Sequence, residues 1–142
     1  MGQDVEVLYT AKSRTTGGRE SGVSRSSDGV LDIRLSISGS AVIGANPEQL
    51  LAASWSASLV RSVTVEACKN RIPLPAGVGI DAEIDLCLSE GIHFLRARLK
   101  IGLPGVEQTI AWALVNAAFE SCPFSKLTRG NMDTVVDLSQ EV

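Results

Sequence analysis

Three thiols, one imidazole and a guanidinium behind a glycine pair are the groups in this chain whose chemistry could reach beyond folding. The cysteines, Cys68, Cys87 and Cys122, are odd in number and form no CxxC pair, so free thiols are expected rather than a framework of disulfides. With His93 as the only histidine, too few soft ligands lie close together for a zinc site, and no cofactor is expected. Arg19 follows Gly17-Gly18, which allow unusual backbone angles; it reads as an arginine on a mobile loop at a site mouth, against the blander reading of a solvated cation. Glu48 falls in the first turn of a helix, where a carboxylate complements the dipole. Ser58 is by itself a small residue suited to close helix packing. A hydrolytic Ser58 and His93 pair is disfavoured, because no nucleophile-elbow pattern surrounds the serine. Cys68, near a helix end, and Cys87, in the polar register of a strand, read as incidental thiols, and Trp55 and Trp112 as core or pocket walls.

The elements that must position these groups follow from periodicity. Leu31, Ile33, Leu35 and Ile37 alternate with polar residues, the period of a half-wet strand, and Asp28-Gly29 turns it back on a partner over 20–25. Asn46-Pro47-Glu48-Gln49 carries a cap, a proline for the first helical position and a capping-box glutamine, so a helix is expected to about Asn70. Having no charge from Gln49 through Val60, it is expected to be buried nearly all round. After the Ile72-Pro73-Leu74-Pro75 break, two alternating strands follow. Asp81, Glu83 and Asp85 of the first and Arg96, Arg98 and Lys100 of the second are expected to meet across a hairpin through Ser89-Glu90-Gly91. Pro104-Gly105 opens a second helix with Ile110, Ala113, Leu114, Ala117 and Ala118 on its apolar stripe; Pro123 ends it after Cys122, and Thr134 to Leu138 form a last strand. This order is α+β, with helices packed on antiparallel sheet.

At 142 residues and 44% hydrophobic content the chain suits one domain, residues 1–142, with a full core. Its net charge of -3 excludes the electrostatic footprint of a nucleic-acid or anionic-membrane binder and favours small neutral partners. Met1-Gly2-Gln3-Asp4 lacks the basic and apolar regions of a secretory signal, and no stretch is apolar enough to span a bilayer, so the cytoplasm is the expected address.

Several segments, in order, resemble one family over nearly the whole chain. They are Tyr9-Thr10-Ala11-Lys12, Thr16-Gly17-Gly18-Arg19, Ser27-Asp28-Gly29-Val30-Leu31-Asp32, Asn46-Pro47-Glu48-Gln49-Leu50, Gly102-Leu103-Pro104-Gly105, and Cys122-Pro123-Phe124-Ser125 with Thr128-Arg129-Gly130-Asn131. The chain is identified by them as similar to the organic hydroperoxide resistance branch of the OsmC superfamily. The resemblance implies an OsmC-like fold, with two long helices against antiparallel sheet in an intertwined homodimer. It also implies a two-cysteine thiol peroxidase acting on organic and fatty-acid hydroperoxides, with a lipoyl-type dithiol as reductant. Carried over by position, the family's catalytic arginine falls on Arg19, the glutamate that orients it on Glu48 and the resolving cysteine on Cys122. The attacking cysteine falls on Ser58, within Ser54-Trp55-Ser56-Ala57-Ser58-Leu59.

That substitution decides the expected chemistry. A thiolate attacks a peroxide oxygen and survives as a recoverable sulfenic acid, whereas a serine hydroxyl is essentially never ionised near neutral pH and has no such step. Cys122, read as the last turn of a helix, faces the negative end of the macrodipole, a poor place for an attacking thiolate. The sequence therefore leaves two readings open: a hydroperoxide resistance protein inactive as a peroxidase as it stands, or a paralogue that binds a hydrophobic, lipid-like molecule as sensor or carrier.

Overall fold

A computed structural model describes residues 4–139; the reading of Met1 to Gln3 lies outside them. The chain divides into two compact units, one up to Pro47 and one from Glu48 onward. The first holds an antiparallel sheet of three short strands, β1 (Ser13–Thr16), β2 (Val23–Ser26) and β3 (Asp32–Arg34). Arg25 faces Asp32 in the β2–β3 register, and the guanidinium donates to that carboxylate at 2.9 Å. The turn between them is closed by Asp28, whose carboxylate accepts from the Val30 amide at 3.0 Å, with Gly29 at φ 76. The strand expected over 31–37 is regular only over Asp32–Arg34. Beyond it the Leu35 amide still bonds Gly22 while Ser36 turns its amide to Ala45, so the ladder splits between two partners.

The second unit takes in α1 (Pro47–Lys69) from its second residue and continues through β4 (Gly79–Ser89), β5 (Ile92–Gly102), α2 (Gln108–Ser121), the short α3 (Pro123–Thr128) and β6 (Asp133–Leu138). The β4–β5 hairpin has the expected register, with Asp81 opposite Lys100, Glu83 opposite Arg98 and Asp85 opposite Arg96. Arg98 is its hub, bonding Asp85 at 2.7 Å and Glu83 at 2.9 Å, while Arg96 reaches Asp85 at 3.2 Å. The connecting residues Glu90 and Gly91 both take positive φ, 51° and 76°, which matches the twist of a two-residue hairpin turn.

The sheet is mixed rather than antiparallel, since β6 pairs with β5 in parallel, Arg96 opposite Asp133 through Ile101 opposite Leu138. The crossover through α2 and α3 returns the chain in the direction of β5, which a tight hairpin cannot do. Trp55, Leu59 and Val63 of α1, Ala97, Leu99 and Ile101 of β5, and Ala111, Val115 and Ala118 of α2 form one buried cluster. Two helix readings are corrected by it. Within the chain α1 buries one stripe, Trp55, Leu59, Ser62, Val63 and Ala67, and leaves Ala53, Ser54 and Ala57 exposed; lack of charge marked a helix without marking its faces. In α2 the buried stripe is Ala111, Leu114, Val115 and Ala118, with Ile110 and Ala113 exposed. The helix starts at Gln108 rather than Pro104-Gly105, because the Glu107 carboxylate caps it by accepting from the Thr109 and Ile110 amides.

Candidate functional site

Ser58 lies at the border of the buried stripe of α1, one turn after Trp55 and beside Leu59. Cys122 is the joint between two helices. Its amide closes α2 by donating to the Ala118 carbonyl at 2.8 Å, Pro123 supplies the first residue of α3, and its own carbonyl accepts from the Lys126 amide at 3.0 Å. The fold brings the two side chains together: Ser58 Oγ and Cys122 Sγ are in hydrogen-bond contact at 3.4 Å, with Cys122 fully buried.

The electrostatics at Cys122 differ from the sequence reading. Burial pushes the thiol up, but the Ser58 hydroxyl, the Ser125 hydroxyl and the backbone amides of Ser125 and Phe124 all pull it down, and the net direction is below an ordinary thiol. The expectation that a helix end would oppose a thiolate here is therefore overturned. Pro123 halts α2 and also starts α3, so the sulfur meets the amides of a new first turn as well as the end of the old one.

Two residues of this site were not singled out for it from the sequence. Ser125, buried at 1% exposure, accepts a hydrogen bond from the Trp55 indole Nε1 at 3.0 Å, and Trp55 itself has no exposed surface. Seventy positions separate the pair, so no local pattern announces it. The Trp55 ring also stands against Phe119, centroids 6.3 Å apart and tilted by 51°. Trp55 is thus core, as expected, with its polar end satisfied.

Arg19 belongs to the first unit, half-buried in the β1–β2 connection, where Gly17 has φ 74 and a Cβ on Gly22 would stand 2.6 Å from the Thr16 carbonyl. Glu48 is half-buried in the first turn of α1, about 15 Å of helix rise from Ser58. Cys68 is exposed at the end of α1, Cys87 is opposite Phe94 in the hairpin, and His93 is exposed opposite Leu88. Among the described residues no group of three or more His, Cys, Asp or Glu could hold a metal ion, and no helix is long and apolar enough to cross a membrane. A cavity of about 300 Å³ opens at the other end of α2 from Cys122, between Leu103, Val106, Trp112 and Leu138, with Gln108 and Asp137 among its polar lining.

A buried cysteine thus joins two helices and meets a side chain of a long helix, in a unit with a mixed three-stranded sheet. A family model for OsmC-like proteins matches residues 37–137. An organic hydroperoxide resistance protein of Xanthomonas axonopodis pv. citri is 36% identical, over 98% of this chain and all of the relative. The crystal structure of the organic hydroperoxide resistance protein OhrB of Bacillus subtilis superposes with a TM-score of 0.88 at 35% identity, covering 94% of this chain and 100% of that one. A second, from Legionella pneumophila, superposes with a TM-score of 0.86 at 33% identity, covering 94% and 99%. The chain belongs to the OsmC-like family, within its organic hydroperoxide resistance branch.

Proposed function

We propose that this chain keeps the two-position redox architecture of the hydroperoxide resistance proteins but is disarmed as a peroxidase, with Ser58 standing where the attacking cysteine belongs. The observation that carries the reading is the 3.4 Å contact between Ser58 and the buried Cys122. In the two-cysteine reaction, a thiolate at position 58 attacks one peroxide oxygen, the O–O bond breaks, and the alkoxide leaves and takes a proton as alcohol. The second thiolate attacks the sulfur of the resulting sulfenic acid, forming the disulfide as the S–O bond breaks and the hydroxide takes a proton and leaves as water. A lipoyl-type dithiol then returns both thiols by exchange. Oxygen at position 58 supplies neither the ionised nucleophile nor the change of oxidation state. A guanidinium, which lowers an acidity constant by a few units in order of magnitude, does not bring an alcohol into range.

On this reading Arg19 and Glu48 retain the family's binding roles, and the working form is a cytoplasmic homodimer. The large exposure of Val5, Val7, Leu8 and Tyr9, between 71% and 84%, suits cover by a second copy. A second reading, a carrier or sensor for a hydrophobic molecule, is favoured by the cavity at Trp112.

The deciding experiment is dithiol-dependent consumption of cumene hydroperoxide by the chain and by Ser58→Cys, run side by side. Turnover by the variant alone supports the proposal; turnover by the chain itself overturns it.

A further inference from the structure

The two tryptophans have different fates. Trp55 is sealed in the core with its indole N–H bonded to Ser125, whereas Trp112, half-buried on α2, forms a wall of the cavity of about 300 Å³ with Leu103, Val106 and Leu138. An aromatic ring left beside an open cavity is surface that a ligand gains by covering. The volume stands at the small end of ligand sites, which suits one ring with a short tail and not a long acyl chain.

The charges around the cavity set the sign of what enters it. The cavity lies beside the first turn of α2, and a helix N-terminus ordinarily draws an anion. Here Glu107 has already taken the amides, Oε1 accepting from Thr109 at 3.0 Å and Oε2 from Ile110 at 3.1 Å. The polar lining also holds the Gln108 carboxamide and the Asp137 carboxylate, whose Oδ1 accepts from the Leu138 amide at 2.8 Å. Among the described residues no cation lines the cavity. Lys100, across the ladder from Asp137, also stands opposite Asp81, and one ammonium shared by two carboxylates leaves a negative charge uncompensated. A carboxylate or phosphate ligand would meet Asp137 with no cation of the lining to offset it. An ammonium finds that carboxylate, the Gln108 carbonyl oxygen and an indole, three groups that favour a cation.

We propose that the Trp112 cavity is a binding site for a small organic amine with an aromatic or short aliphatic body, recognised by Asp137, Gln108 and the indole. The aliphatic walls take the body of the ligand, and the rim takes its charge. The proposal names the ligand class for the carrier or sensor reading and rests on it; it is independent of the redox chemistry at position 58.

The test uses the full chain and three probes that share one body and differ in the head: phenylethylamine, phenylethanol and phenylpropionate. Each is titrated at low salt while the two indole N–H resonances are followed by nuclear magnetic resonance, with Trp112→Phe assigning which is which. The Trp112 signal is expected to move saturably and the Trp55 signal to stay. Affinity is expected to fall from amine to alcohol to carboxylate, the amine binding about tenfold tighter than the carboxylate. Asp137→Asn, a change at an exposed position, is expected to weaken the amine about threefold to fivefold and to leave the alcohol unchanged. Carboxylate binding as tight as amine binding overturns the proposal and leaves a carrier of hydrophobic molecules standing. Saturable binding that moves Trp55 and not Trp112 places the site elsewhere and overturns it too. No saturable binding of any probe overturns the proposal together with the reading it rests on.

Discussion

The hydroxyl of Ser58 and the sulfur of Cys122, sixty-four positions apart in the chain, meet at 3.4 Å between the first long helix and the joint that follows the second. One side chain is held by the buried stripe of α1 and the other by the bonds that close α2 and open α3, so both ends of the contact are fixed by backbone.

That contact makes a thiol at position 58 a direct partner for Cys122. Ser58→Cys treated with one equivalent of hydroperoxide is expected to lose the free-thiol titre of that pair and to gain the mass signature of an internal disulfide, reversed by dithiothreitol. Absence of the disulfide by peptide mapping would sink the pairing of these positions.

Leu59, with no exposed surface, lies at the centre of the cluster shared by α1, β5 and α2. Leu59→Ala is expected to cost about 2–5 kcal/mol, the lost transfer energy plus the cavity left behind. Urea unfolding followed by circular dichroism measures it, and a loss under about 1 kcal/mol would mean that the cluster collapses to fill the gap.

Asp85 is held at about 2, below its ordinary 3.8, chiefly by the hydrogen bond from Arg98, which outweighs the opposing effect of burial, with Arg96 adding a smaller pull in the same direction. A carboxyl depressed in the folded state contributes stability that is complete above its unfolded value and is lost as pH falls through the folded one. Stability is therefore expected to fall between about pH 4 and 2, and Asp85→Asn to flatten the curve in that window. A parent and variant with parallel acid limbs would show that the Arg98 hub is stabilised by other means.

Much of this hairpin was readable in advance, and the contrast with Cys122 explains why. Alternating acids on one strand and bases on the next, with a turn between, fix register locally, and the pairs fell where the period of two placed them. The environment of Cys122 was not readable in the same way. Pro123 carried two meanings, stop and start, and α3 is too short to show a periodicity of its own; the preference of proline for the first helical position was the signal that could have revealed it. The Trp55–Ser125 bond and the parallel seat of β6 are products of tertiary packing across long separations, which no window of sequence contains.

Glu90 holds a φ of 51° in the hairpin turn, a conformation that asparagine adopts more readily. Glu90→Asn is expected to stabilise the chain by about 0.5–1 kcal/mol, measured as a raised urea midpoint at unchanged slope. A lowered midpoint would show that the Glu90 side chain contributes more than its backbone costs.

A homodimer is expected to give twice the chain mass by light scattering at micromolar concentration, and Leu8→Asp to shift it toward the single-chain mass by placing a charge on exposed apolar surface. A single-chain mass for the parent would remove the dimer from the proposal.

The parallel pairing of β6 with β5 also sets an order of assembly. β4 and β5 can zip over a two-residue turn, a short loop closed quickly, and their register needs no other strand to set it. β6 has no such shortcut, since α2 and α3 must be spanned before its backbone finds β5. The hairpin is the early element on this account, and β5 waits with an open edge until the chain returns. Any delay in forming α2 lengthens that wait, which makes the Glu107 cap at its start a determinant of how long the growing protein is exposed to aggregation.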